Sequence, residues 1–145
     1  MKQVFSYILL GFFFLYASPG STGTVEVKVS VEGFNSNAGL CRLLVYGTDK
    51  GFPEDPDHAV LVLSGAIKEN KSEFTFNIQP GTYAISILHD ENSNEKLDKT
   101  WYGKPKEGFG ISNNPKVKFG PPSFQESAIK INRDNAEFRI KMLYL

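Results

Sequence analysis

The chain is poor in the residues that most metal and nucleophile chemistry requires. Cysteine occurs once, at Cys41, so no intrachain disulfide forms and no C-x-x-C zinc pattern exists. Histidine occurs twice, as His58 and His89, and no H-x-x-x-H pair is present. A phosphate-cradling glycine loop and a nucleophile elbow are both missing. Neither sign of charge dominates: 16 basic residues face 16 acidic ones. That balance gives no reason to expect nucleic acid or an anionic membrane as partner. No apolar run reaches the roughly 18–20 residues that span a bilayer comfortably.

What is there begins with a leader. Lys2 precedes an almost wholly apolar stretch, Val4 to Ala17, and the small residues Ser18, Gly20 and Ser21 follow. This is the order of an export signal. Residues 1–20 are expected to be a cleaved leader and 21–145 the folded domain, periplasmic or extracellular, with no transmembrane span in the mature chain. An uncleaved anchor is the alternative. No cysteine follows the run, which argues against a lipid-modified lipoprotein. Loss of Lys2 leaves 15 basic against 16 acidic residues, a net charge of −1. At 145 residues the chain suffices for one ordinary core.

The remaining pattern is that of short strands. In Thr24 to Glu32 the valines at 25, 27, 29 and 31 share one face and polar residues take the other. Leu40 to Tyr46 is apolar on both faces apart from Arg42, as in a central strand; Cys41 is expected to be a small buried hydrophobe there. Ala59 to Leu63 is a second two-sided run. Glu73 to Gln79 alternates with Phe74, Phe76 and Ile78 inward, and Thr82 to His89 follows the Pro80-Gly81 turn. Glu126 to Asn132 and Ala136 to Tyr144 read as a hairpin about Arg133-Asp134-Asn135. Seven short strands and no helix predict an all-β, single seven-stranded antiparallel β-sandwich.

Between the fifth and sixth strands, some 36 residues from Asp90 to Gln125 carry no clear strand. The segment holds Trp101, Tyr102, Phe109, Phe119 and Phe124, spaced by Gly and Pro. Disordered segments are poor in such rings, so a folded excursion anchored by its aromatics is expected. The surface loop Gly47 to His58 contains an acidic section, Phe52 to Asp57, that is read as solvated, with a second cation site as the alternative.

At the start of the excursion, side-chain oxygens fall on alternate positions: Asp90, Asn92 and Asn94, then the Lys96 carbonyl, then Asp98. EF-hand-type loops present calcium ligands in this way as the backbone curls round the ion. The acid expected at the twelfth position is missing, since Trp101 stands there; Asp55, Asp57 or Glu107 from a neighbouring loop, or water, is the candidate substitute. Glu95 occupies the sixth position, where a left-handed backbone costs a non-glycine residue about 1 kcal/mol. With few anionic ligands the expected affinity is weak, about 10⁻⁴–10⁻³ M. The alternative is that Asn and Asp cap the turn through their own side chains with no ion.

The stretch Tyr83 to Asp98 is similar to the hallmark of the bacterial family DUF2141. Tyr102-Gly103-Lys104-Pro105, Glu107 to Asn114 and Phe119-Gly120-Pro121-Pro122-Ser123-Phe124 continue the resemblance in order. The resemblance implies an exported sandwich of transthyretin- or prealbumin-like type and brings no activity with it. Glu95 departs from the Gly usual in such loops.

Three functional classes remain open. The leading expectation is a non-enzymatic binding or structural module with a weak structural calcium site formed by Asp90, Asn92, Asn94, Lys96 and Asp98. A second is a glycan- or peptide-binding module using Trp101, Tyr102, Phe109 and Phe119, framed by Asn113 and Asn114. A third is a hydrolase working through carboxylates such as Asp98 and Glu107. His89 and Asp90 are adjacent in a strand and point to opposite faces, which disfavours a Ser-His-Asp relay. Pairing with an envelope protein through an edge strand is a further route to a partner.

Overall fold

The structure is a computed structural model that describes residues 23–117 and 120–145. The expected leader, residues 1–20, and the ring of Phe119 lie outside the described residues. The fold is all-β with almost no helix: β1 Val25–Glu32, β2 Leu40–Tyr46, β3 Leu61–Gly65, β4 Lys71–Ile78, β5 Gly81–Asp90, β6 Phe109–Ile111, β7 Ile129–Ile131 and β8 Glu137–Lys141. A single helical turn, α1 Phe124–Ser127, precedes β7. Among the described residues no helix is long and apolar enough to cross a membrane.

Two sheets result. The smaller runs in the order β4-β1-β8; the larger runs β3-β2-β5-β6, with β7 also on β5. The valines of β1 alternate inward as their spacing requires, all of them buried. They meet Cys41, Leu43 and Val45 of β2, Ile85 and Ile87 of β5, Phe74 and Phe76 of β4, and Ile140 of β8 in one apolar cluster. Burial of that cluster is the main favourable term for a chain without a disulfide. Burial also pushes the Cys41 thiol up to about 12.

The expectation of seven antiparallel strands needs correction in three places. A three-residue strand, β6, forms inside the excursion and pairs with β5 through Ser86–Ile111, Ile87–Gly110 and Leu88–Phe109. The last strand, β8, pairs parallel with β1. The expected terminal hairpin is only a turn, closed by Asn132 and Asn135, whose two arms enter different sheets. Local pattern reports that a segment is extended and which face it buries. It does not report its neighbour, which is set by long-range packing. The start of the expected 126–132 strand becomes α1 because Ser123 and Glu126 form a reciprocal capping box.

Strand β2 has β3 on one side and β5 on the other, and the larger sheet is covered on both faces. Its inner face looks into the core. Its outer face is roofed by the 47–58 loop and by the excursion. The site lies there and at the end of β5.

Candidate functional site

Strand β5 ends with His89 facing inward and Asp90 outward, both fully buried. His89 Nε2 lies 2.8 Å from the Ala38 carbonyl and Nδ1 2.8 Å from the Tyr144 hydroxyl. A carbonyl only accepts, so Nε2 carries a proton and donates it to Ala38. The imidazole also packs edge-on against Phe34, with centroids 5.2 Å apart. These contacts fasten β5 to the chain's last residues and to the β1–β2 turn.

Asp90 turns the chain into the loop. Its Oδ1 accepts the Asn94 N–H at 3.0 Å and its Oδ2 the Glu95 N–H at 2.9 Å. Asn92 Oδ1 accepts the Asn94 N–H at 3.1 Å, and Asn94 Oδ1 accepts the Lys96 N–H at 2.9 Å. Each alternate side chain thus curls the backbone by holding the amide two or more residues ahead. Ser93 and Glu95 take positive φ, 59° and 66°. The sixth position adopts the left-handed backbone that EF-hand loops give to glycine, here with a glutamate.

Asp98 closes the loop. The Asn92 and Asn94 side-chain amides donate to its two carboxylate oxygens at 2.7 and 3.0 Å. Glu107, itself buried, reaches in from the far arm of the excursion. Its Oε1 accepts the Glu91 N–H at 3.0 Å and its Oε2 the Asp98 N–H at 2.9 Å, so one carboxylate clamps both ends of the turn. Of the three candidate completing acids, Glu107 is the one at the loop. Asp55 serves its own loop instead, taking the Asp57 N–H at 3.0 Å and standing 2.7 Å from His58 Nδ1. These bonds hold the Asp55 carboxyl below the usual range, the His58 contact foremost. Asp57 sits exposed in that same short turn.

Three carboxylates therefore take hydrogen bonds from one turn. Among the described residues no Lys, Arg or His nitrogen lies within 4.0 Å of Asp90, Asp98 or Glu107. Nor do three His, Cys, Asp or Glu side chains stand together ready to hold a metal. The oxygens on offer are mixed: carboxylate, side-chain amide and main chain, the kind calcium prefers. As for the Asp98–Glu107 pair, the Glu107 carboxylate is bound to the backbone of Asp98.

The aromatic residues divide. Trp101 and Tyr102 sit at the tip of a tight turn, closed by Thr100 N–H to the Lys104 carbonyl at 2.8 Å and Gly103 N–H to the Thr100 carbonyl at 2.9 Å. Trp101 is 96 % exposed and Tyr102 62 %, packed edge to face on each other with centroids 5.3 Å apart. The expectation that these rings anchor the excursion is corrected: the Glu107 clamp and the β6 ladder hold it. Phe124 does anchor, against Phe52 of the 47–58 loop at 5.9 Å. Phe109 faces a groove together with Tyr102. Asn113 and Asn114 lie elsewhere and serve the backbone. Asn113 Nδ2 donates to the Glu126 and Ala128 carbonyls, while Asn114 bridges the Arg139 carbonyl and the Lys141 N–H.

The groove, about 460 Å³, opens between the outer face of the larger sheet and the excursion. Register sets its floor. Arg42, Leu88 and Phe109 lie side by side across β2, β5 and β6; Leu44, Ser86 and Ile111 form the next row. Sequence reading marked Arg42 only as an interruption of an apolar strand. Its position on the outer face was implicit in that alternation, and its contact with the distant Glu95 was not.

No curated protein and no solved structure matches the chain. A family profile does, over residues 29–139. That span takes in both sheets, the acidic turn and the clamp that closes it, and the chain belongs to the bacterial family described as "Uncharacterized protein conserved in bacteria (DUF2141)".

Proposed function

We propose that this protein is an exported, non-enzymatic domain of the transthyretin- or prealbumin-like sandwich type, a binding or structural module whose loop 90–98 holds a calcium ion. The carrying observation is the curl of that loop. Asp90, Asn92 and Asn94 each fold back on the backbone in alternate register, with Glu95 in the left-handed region. Glu107 supplies the acid that the loop's twelfth position lacks. The side-chain amides of Asn92 and Asn94 are the hydrogen-bond donors to Asp98. A cation among these oxygens takes over that role and offsets a locally uncompensated negative charge. The function of the ion is to fix the start of the excursion against the sheet.

Calorimetric titration of calcium into the EDTA-stripped, dialysed protein tests the reading. A single site with Kd of about 10⁻⁴–10⁻³ M is expected, weakened at least tenfold by Asp98→Asn. Absence of saturable heat up to about 10 mM removes the metal from the account.

A second reading is favoured by the Trp101–Tyr102 tip: an aromatic platform for a glycan, a peptide or an envelope protein. Exposed Trp and Tyr are over-represented at binding hot spots. On this reading Trp101 fluorescence in the free protein is quenched by acrylamide as fully as free indole and is protected by partner. A blue-shifted, unquenchable emission contradicts it.

A further inference from the structure

The floor of the groove over the larger sheet carries one charged group. Leu44, Leu88, Phe109 and Ile111 form its floor, and the excursion brings Leu97 and Val117 to its walls. Into this surface projects the Arg42 guanidinium, on a side chain only 10 % exposed. Its one charged partner is Glu95, 3.0 Å away, whose own side chain is 72 % exposed. Among the described residues the Arg42 side chain makes no other ion pair or hydrogen bond, and no buried polar side-chain atom is left unpartnered, so its remaining N–H groups open onto the groove that Arg42 lines. A guanidinium offers five donors in a planar fork that matches a carboxylate.

An arginine serving only the fold would have its donors satisfied by backbone carbonyls or by a buried acid. Arg42 instead rests on an exposed glutamate at a strained backbone position, φ 66°. That contact is easily exchanged, because Glu95 regains full hydration on leaving. Two lysines also line the groove: Lys99, which is taken by Glu54 at 2.7 Å, and Lys104, which forms no ion pair among the described residues. Glu54 and Glu95 at the margin make a doubly charged head group unfavourable. An incompletely paired guanidinium set in an apolar floor, and a volume inside the range of small-molecule sites, define the ligand.

We propose that the groove binds a small apolar monocarboxylate, with its head group on Arg42 in place of Glu95 and its apolar body along Leu44, Leu88, Phe109 and Ile111. The exchange is non-covalent: one carboxylate replaces another on the same guanidinium. This site lies outside the calcium loop's oxygen set and goes beyond the function proposed above.

The test is calorimetry with dodecanoate, dodecanol and dodecyltrimethylammonium, each below its micellar concentration, in EDTA buffer so that calcium plays no part. Dodecanoate is expected to bind at one site at least tenfold more tightly than dodecanol, and the cation not at all. Arg42→Gln abolishes the preference of acid over alcohol. Glu95→Gln, a change at an exposed side chain, tightens dodecanoate binding about three- to tenfold and leaves dodecanol unchanged. If Arg42 and Glu95 formed only a structural pair, Glu95→Gln would lower the melting temperature and leave the affinity ratio alone; that result overturns the proposal. Equal binding of acid and alcohol, or no saturable binding of dodecanoate below about 1 mM, overturns it also. Should Arg42→Gln not fold, Glu95→Gln decides alone.

Discussion

Replacing Glu107 by glutamine should release the turn at the end of β5. The wild-type carboxylate accepts two backbone amides, Glu91 N–H at 3.0 Å and Asp98 N–H at 2.9 Å, in a buried position. A hydrogen bond to a charged group contributes about 1.5–3 kcal/mol. Glutamine keeps one oxygen and turns an NH₂ group against the second amide, so one charged bond is lost and the other becomes neutral. The loss is about 3 kcal/mol. If the turn unfolds with the core, the melting midpoint falls by about 12 °C for a domain of this size. If the turn opens alone, the loss appears instead as faster hydrogen exchange at Glu91 and Asp98, by about two orders of magnitude. Thermal melting and NMR exchange on the same samples separate these outcomes. Unchanged exchange at both amides together with a midpoint shift below about 2 °C would refute the clamp.

Cys41 is buried and its thiol is raised to about 12; it should resist aromatic disulfide reagents at about pH 8 in the native protein and react once in guanidinium. Asp55 has its folded-state pKa depressed, with His58 the first cause. Its stabilising contribution is therefore complete above the ordinary carboxylate range and disappears as pH falls through the folded value. Asp55→Asn should flatten the acid limb of the melting-temperature profile below the ordinary value of 3.8. Gly39 has φ 68°, and a Cβ there would overlap the Asp90 carbonyl. Gly39→Ala should destabilise the domain by about 2 kcal/mol or more, measured by urea denaturation.

Much of the frame was legible along the chain. The valines of β1 and the phenylalanines of β4 alternate with period two, and each buried face is the one the spacing selects. Two-sided β2 did prove central. The alternate oxygens of the 90–98 loop announced a curled turn, because each side chain acts on backbone two or more residues ahead. What stayed hidden depends on distance in sequence. β6 has three residues, too few to show a period, and forms because β5 offers a free edge. The parallel pairing of β8 with β1 joins the two ends of the chain. Trp101 was misread because a ring in a Gly- and Pro-rich segment carries the same local signal whether it anchors the loop or tips it. Glu107 and Arg42 draw their roles from partners on other elements, and no single-segment pattern contains that information.

Thermal melting in calcium bears most directly on the central claim that the 90–98 loop is an ion site. With Kd between about 10⁻³ and 10⁻⁴ M, about 10 mM calcium stabilises the fold by about 1.4 to 2.7 kcal/mol. The midpoint should rise by about 6 to 11 °C over the EDTA value, with the rise lost in Asp98→Asn. A midpoint that is the same in calcium and in EDTA contradicts the claim and leaves the loop held by its own side chains.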